Sequence, residues 1–308
     1  MVIINSQNAQ LANRLWGFAS FIANSIEYNY HLKNLGFHKY RSYFQATKFN
    51  DFGKYPISIK RSGIDQLDYF YSNLFKNWSS LTFRKFGRTP TLFKFYRTTF
   101  NEDKKSVAFN LNRPDFVRDA QTKTILAEGW MFRDPENIRK HREKICSFFK
   151  PVEPYLSQSL SAVTEARKDA DVLVGVHIRR GDYATFAGGR WFFTDEEYAG
   201  MMHDVEDAYN KIGKTCSFLI CSNEEVKNDP YQGLTIDNST RNFIVDLYAL
   251  SGCDVIIGPP STFSQWAAYY GDKPLTMILN GNQKLGIPKY NPSLLAETTF
   301  PEEELYRF

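Results

Sequence analysis

The side chains best equipped for chemistry stand in Val174-Gly-Val-His-Ile-Arg-Arg-Gly-Asp-Tyr183. An apolar run beginning at Val172 carries His177, Arg179 and Arg180 into a turn at Gly181 and Asp182. Such a run reads as a strand buried on both faces. The planar guanidinium fork grips phosphate or carboxylate oxygens in pairs, so arginines at the end of this strand imply an anion there. A phosphorylated ligand is the first expectation. Residues two apart in an extended chain face the same side, so His177 and Arg179 point together and Arg180 points elsewhere. The alternative for both arginines is structural: an ion pair with Asp182 or with a neighbouring acidic helix.

In an open parallel sheet, ligands bind beyond the carboxyl ends of the strands. Besides His177–Asp182, that edge is expected to carry Ser222-Asn223 and Pro259-Pro-Ser-Thr-Phe-Ser264. The last segment sets the hydroxyls of Ser261, Thr262 and Ser264 at the start of a helix, whose free N–H groups and dipole favour an anion. Arg179 and Ser261 or Thr262 are thus expected to converge on one phosphate.

The elements that position these residues are clearest in the second half. A strand over 172–178 precedes a helix opening at the capping box Thr194-Asp-Glu-Glu197 and running to Lys211. Strands at Cys216–Cys221, 254–258 and Pro274–Leu279 follow, with a short segment at Leu234–Ile236 and helices at Arg241–Ser251 and from Ser261 to Gly271. The first half begins with a strand over Val2–Asn5 and a long helix over Leu11–His31. It closes with a strand over Thr124–Trp130 and helices over Pro135–Phe149 and Tyr155–Lys168. The aromatic stretch 40–110 gives no clear boundaries. Alternating strands and helices imply right-handed crossovers. The fold class is α/β: two Rossmann-like domains with mostly parallel sheets.

A chain of 308 residues has room for both domains. Residues 1–168 carry 27 Lys+Arg against 14 Asp+Glu, and the rest 11 against 20. That break sets the expected domains at 1–168 and 169–308. The basic half suits an anionic membrane surface or a lipid-linked phosphate. Aromatic and basic residues interleave from Arg84 to Arg97, as in a nucleic-acid groove, but also as in an amphipathic strand. No nucleic-acid partner is expected. The four cysteines lack metal-ligand spacing and read as buried thiols of a reducing compartment. Nothing resembles a signal peptide or a membrane span. The expected location is cytoplasmic, with peripheral contact at the inner membrane face. A Walker loop, a Gly-x-Gly-x-x-Gly turn, a Gly-x-Ser-x-Gly elbow and a His-x-x-x-His pair are all absent. Asp169-Ala-Asp171 precedes its strand, the wrong end of the sheet for a metal-binding acidic pair, and no metal is expected.

His177-Ile-Arg-Arg-Gly-Asp-Tyr183 resembles the signature of the α-1,2-fucosyltransferases, glycosyltransferase family 11, and of their α-1,6- and protein O-fucosyltransferase relatives. Leu11-Ala-Asn-Arg-Leu-Trp-Gly-Phe-Ala19 is similar to the family's amino-terminal Leu-Gly-Asn-Gln segment, and Glu128-Gly-Trp-Met-Phe132 to its Gly-Tyr-x-Gln region. Phe218-Leu-Ile-Cys-Ser-Asn223 stands where the family has a strand ending Ser-Asp or Ser-Asn. Asp246-Leu-Tyr-Ala-Leu-Ser-Gly-Cys253 with Ser261-Thr-Phe-Ser-Gln-Trp-Ala-Ala268 resembles its last motif. The resemblance runs discontinuously from residue 11 to about 279.

It implies a two-domain GT-B architecture, GDP-fucose as donor, a glycan or lipid-linked glycan acceptor, no cofactor or metal, and inversion at the anomeric carbon. By position, Arg179 would hold the β-phosphate with the Ser261–Phe263 turn and Asp246 would accept from the guanine edge. His177 and Asn223 would line the nucleotide pocket, while Asn13 would approach the phosphate and sugar from the first domain. Arg180, Thr262 and Ser264 join the donor set. Asp182 is the candidate general base, although its place beside two arginines suits a structural pairing equally. Ala12, Arg14 and Gln265 depart from the family's usual Gly, Gln and Trp, which bears on acceptor and linkage more than on the nucleotide. A transferase of another GDP-hexose and a non-catalytic nucleotide- or glycan-binding module remain the alternatives.

Overall fold

The computed structural model describes residues 1–6, 9–59, 93–98 and 108–289. They form two compact units that divide between Val152 and Glu153. The division precedes the charge break at 168 by one helix, Tyr155–Arg167, which packs on the second sheet. Packing of that helix, not charge, sets the boundary.

The first unit contains strands β1 (Val2–Ile4), β2 (Leu32–Asn34), β3 (Ile57–Ser58), β4 (Phe93–Arg97), β5 (Phe109–Asn110), β6 (Thr124–Glu128) and β7 (Phe132–Arg133). Five of them make a parallel sheet in the order β3-β2-β1-β6-β4, and β5 and β7 form a separate pair. The helix Leu11–Tyr28 buries Leu15, Trp16, Phe18, Ala19 and Ile22. It stops short of the expected His31 because Asn29 takes a left-handed φ of 52°, a conformation Asn tolerates well. Much of the aromatic excess goes into this core: Phe18 meets Phe37 at 5.2 Å and Phe149 at 5.8 Å between centroids, and Phe44 meets Phe149 edge-on. The single helix expected over Pro135–Phe149 is two, Pro135–Lys140 and Arg142–Phe148, broken at His141.

Of the basic–aromatic stretch from Arg84 to Arg97, only Phe93–Arg97 lies among the described residues. There Lys94 and Tyr96 both bond the buried Asp119 carboxylate, the packing of an amphipathic strand. A second buried carboxylate, Asp134, takes four donors. Its Oδ1 accepts from Asn112 Nδ2 at 2.8 Å and Asn137 N at 3.0 Å. Its Oδ2 accepts from Asn24 Nδ2 at 2.7 Å and Asn137 Nδ2 at 2.9 Å.

The second unit contains β8 (Val172–Ile178), β9 (Cys216–Ser222), β10 (Ile236–Asp237), β11 (Val255–Gly258) and β12 (Leu275–Met277), all parallel, in the order β10-β9-β8-β11-β12. Every residue of β8 is buried, as the apolar run requires. The helix Asp195–Asn210 opens on the expected capping box: Thr194 and Glu197 exchange side-chain and backbone bonds. The remaining helices are Phe243–Gly252 and Thr262–Gly271. The strand order reverses between β8 and β11, which opens a crevice at their carboxyl ends, the ligand position of such sheets.

Candidate functional site

The expected phosphate residues stand on both sides of that reversal. His177, second to last in β8, lies against Gly258, the last residue of β11; a Cβ at Gly258 would stand 2.9 Å from His177 Cβ. The His177 ring faces Phe263 with centroids 5.0 Å apart. Burial, reinforced by the Arg179 charge, pushes its pKa down to about 3. The imidazole is therefore neutral at ordinary pH and too weakly basic to take a proton from a hydroxyl.

Arg179 Nη2 meets Asp182 Oδ1 at 2.8 Å and Oδ2 at 3.0 Å. Its guanidinium lies 5.5 Å from the Tyr183 ring centroid, and the Tyr183 hydroxyl donates to Pro260 O at 2.6 Å. Burial raises that phenol to about 12. Tyr183 thus ties the arginine turn to the loop that precedes the Thr262–Gly271 helix. Ser261 caps this helix by accepting from Phe263 N at 3.2 Å. Thr262 and Phe263 are half-buried at the start of the helix. Ser264 is turned inward, and its hydroxyl donates to Ser261 O at 3.1 Å.

Arg180 points the other way, as the strand alternation requires. Its guanidinium pairs with Asp195, the first residue of the acidic helix, and Tyr231 donates to the same carboxylate at 2.8 Å. Its backbone N–H donates to Asn223 Oδ1 at 2.8 Å. Asn223 also packs on Gly181, whose φ of 60° belongs to the region that favours glycine. Arg180 is held by the acidic helix and Asp182 is paired with Arg179, the structural arrangements weighed for both. Asp195 belongs to the neighbouring acidic helix weighed as a partner for the arginines; Tyr231 carries no sequence signal, because only the fold brings it there.

Beyond the end of β9 lies a cleft of about 550 Å³, lined in part by Ser222, Asn223, Ser239, Arg241, Phe243 and Asp246. This falls inside the range of about 300–1,000 Å³ usual for small-molecule sites. Asp246, on the Phe243–Gly252 helix, is 6% exposed, and its Oδ1 has no hydrogen-bond partner. Burial raises its pKa to about 6, although Arg241 opposes the rise. Arg241 meets Asp237 at 2.6 Å and stops 3.8 Å from Asp246. Asn13 belongs to the first unit, on the Leu11–Tyr28 helix, where it lines a pocket of about 20 Å³ with Arg14 and Asn34. Asp171 bonds Thr215 N and Oγ1 at the amino end of β8, away from the ligand edge. Among the described residues no three His, Cys, Asp or Glu side chains cluster as a metal site would, and no helix is long and apolar enough to cross a membrane.

Residues 159–285 match the family model described as Glycosyl transferase family 11. The match spans the arginine turn, the cleft and the capped helix. Over these residues the second unit is similar to glycosyltransferase family 11. Among solved structures, a mutant of Arabidopsis thaliana FUT1 in complex with GDP is 14% identical with a TM-score of 0.55, covering 91% of this chain and 70% of its own. NodZ α-1,6-fucosyltransferase soaked with GDP-fucose is 15% identical with a TM-score of 0.52, covering 93% of this chain and 99% of its own. A second NodZ structure, from Bradyrhizobium, gives the same values. No curated protein matches the sequence. At these identities the structural likeness is one of fold, and it shows the GT-B-like architecture. The likeness to family 11 over residues 159–285 makes the chain a glycosyltransferase.

Proposed function

We propose that this glycosyltransferase moves fucose from GDP-fucose to a glycan hydroxyl, forming an α-1,2 linkage with inversion and without a metal. One observation carries the reading: Arg179 and the amino end of the Thr262–Gly271 helix flank the strand-order reversal, and a nucleotide-sized cleft opens beyond β9, lined by Asn223, which accepts from Arg180 N, and by Asp246, whose Oδ1 has no hydrogen-bond partner. The diphosphate takes the place of Asp182 on Arg179, and the amino terminus of the Thr262–Gly271 helix faces its oxygens. Guanine enters the cleft against Asp246, past Asn223. The donor assignment is supported by the GDP-fucose and GDP carried by NodZ and FUT1.

The acceptor oxygen attacks the anomeric carbon as the bond to the β-phosphate oxygen breaks. Arg179 and the helix amides stabilise the charge developing on departing GDP, a role that fixed donors perform well in a site closed to water. The acceptor proton goes to a carboxylate. Asp182, with a side chain 52% exposed, is released from Arg179 when the phosphate binds and is the candidate. His177 orients the site as a neutral ring. The role of Asn13 rests on the resemblance, and contact of the basic first unit with an anionic membrane surface or lipid-linked phosphate rests on its charge.

Fucose transfer from GDP-fucose should persist in excess chelator; loss of turnover on chelation would end the metal-free mechanism. Arg179→Ala should weaken GDP binding by calorimetry at least about a hundredfold, the scale of a lost charge-assisted pair. Unchanged affinity contradicts the phosphate assignment. Faster transfer from another GDP-hexose replaces fucose as the donor sugar, and tight GDP binding without turnover on any acceptor marks a binding module.

A further inference from the structure

Arg241 lines the cleft beside Asp246 and takes no part in the phosphate site. Its side chain is 10% exposed and fixed from one side, by Asp237 at 2.6 Å and by the Ile220 carbonyl at 3.4 Å. Nη1 stops 3.8 Å from Asp246 Oδ1, beyond hydrogen-bonding reach. A buried carboxylate and guanidinium gain from closing on each other, but Asp237 and the Phe243–Gly252 helix hold these two apart. Side by side, a carboxylate and a guanidinium line the same cleft.

The guanine edge complements that pair. Its N1–H and exocyclic amine donate, and the adjacent O6 accepts. Adenine reverses the order, with an amine in place of O6 and an unprotonated N1, so it would set donor against guanidinium and acceptor against carboxylate. Polar groups left unpaired in a buried site cost more than well-made bonds gain. The arrangement therefore selects between the two purines.

We propose that Arg241 donates to O6 of the guanine base and, with Asp246, reads the base of a guanine nucleotide diphosphate. This rests on the donor reading above. Asp237 is the positioning residue that keeps Arg241 extended toward the base.

The test is calorimetric binding of GDP, IDP and ADP to the full chain and to Arg241→Gln and Arg241→Lys at pH 7.5, repeated at pH 8.5. IDP retains O6 and N1–H but lacks the exocyclic amine. Arg241→Gln should weaken GDP and IDP by the same factor, about ten- to a hundredfold for a hydrogen bond to a charged group, and leave the weak ADP binding unchanged. Arg241→Lys, which keeps the charge and most of the packing, should fall between. Equal losses for GDP and ADP would make Arg241 a phosphate ligand and overturn the proposal. GDP affinity of Arg241→Gln restored at pH 8.5 would also overturn it, since Arg241 would then act only by keeping Asp246 ionised among its charged or titratable neighbours Asp237 and Cys221. A GDP-to-ADP ratio unchanged in both variants sinks the inference but spares the donor reading. Wild-type protein that binds GDP no better than ADP sinks the donor reading itself.

Discussion

Asp134 in the first unit and Asp246 in the second are both buried, 1% and 6% exposed, but their carboxylates are provided for differently. Asp134 has two donors on each oxygen, from Asn24, Asn112 and Asn137. It also caps the Pro135–Lys140 helix, so it joins three parts of the first unit. Asp246 has an unpartnered oxygen, and its nearest cation is held 3.8 Å away. A buried charge with its donors supplied belongs to the fold. One without them is an expense to the fold that a ligand offsets. The contrast separates architecture from function more sharply than burial or residue type.

The largest effect should come from breaking the closed network. Asp134→Ala removes the acceptor of four hydrogen bonds, Asn24 and Asn137 keeping only Asn112 Oδ1 for their side-chain amides, and chemical unfolding should show a loss of about 3–5 kcal/mol. A loss below about 1 kcal/mol would mean that the network is not what joins these segments.

Asp246→Asn should behave in the opposite sense. A folded-state pKa of about 6 in place of 3.8 means that the folded protein binds the extra proton between those values. Wild-type stability therefore falls as pH rises through that window and is level above it. Asp246→Asn escapes this cost, so the ligand-free variant's stability advantage over the wild type should grow as pH climbs from about 4 to 6, approaching about 3 kcal/mol above it. The same variant should lose GDP affinity about tenfold or more. It should also lose the part of the pH dependence of GDP binding that exceeds titration of the phosphate itself. A destabilised ligand-free variant would place Asp246 with Asp134 as a structural carboxylate.

Ser264→Ala is the smallest and cleanest probe. Its hydroxyl serves only the Ser261 carbonyl, so thermal unfolding should report a loss of about 1 kcal/mol with GDP affinity intact. A fall in GDP affinity would return Ser264 to the donor set.

Much of the second unit is legible because local signals agree there. The apolar run of β8, the capping box at Thr194 and the Ser261 cap each mark an element by chemistry that needs no distant partner. Arginines at a strand end and hydroxyls at a helix start located the two sides of the crevice. The first unit was harder to read. Its core is built from rings distributed from Phe18 to Phe149, whose sequence pattern is neither helical nor alternating. The helix break at His141 has no proline or glycine to announce it.

The sequence by itself determined most elements of the second unit, the strand-end arginines and the alternation that sends Arg179 and Arg180 to opposite sides. Those are properties of a few consecutive residues, governed by backbone period and local capping. Only the tertiary structure decided what each arginine meets: Arg179 with Asp182 and Tyr183, Arg180 with Asp195. It also decided that Ser264 faces inward, that Arg241 comes to Asp246, and that the strand order reverses beside His177. Whether a buried polar group has a partner depends on chain far away in sequence, and Asp134 and Asp246 differ in that respect.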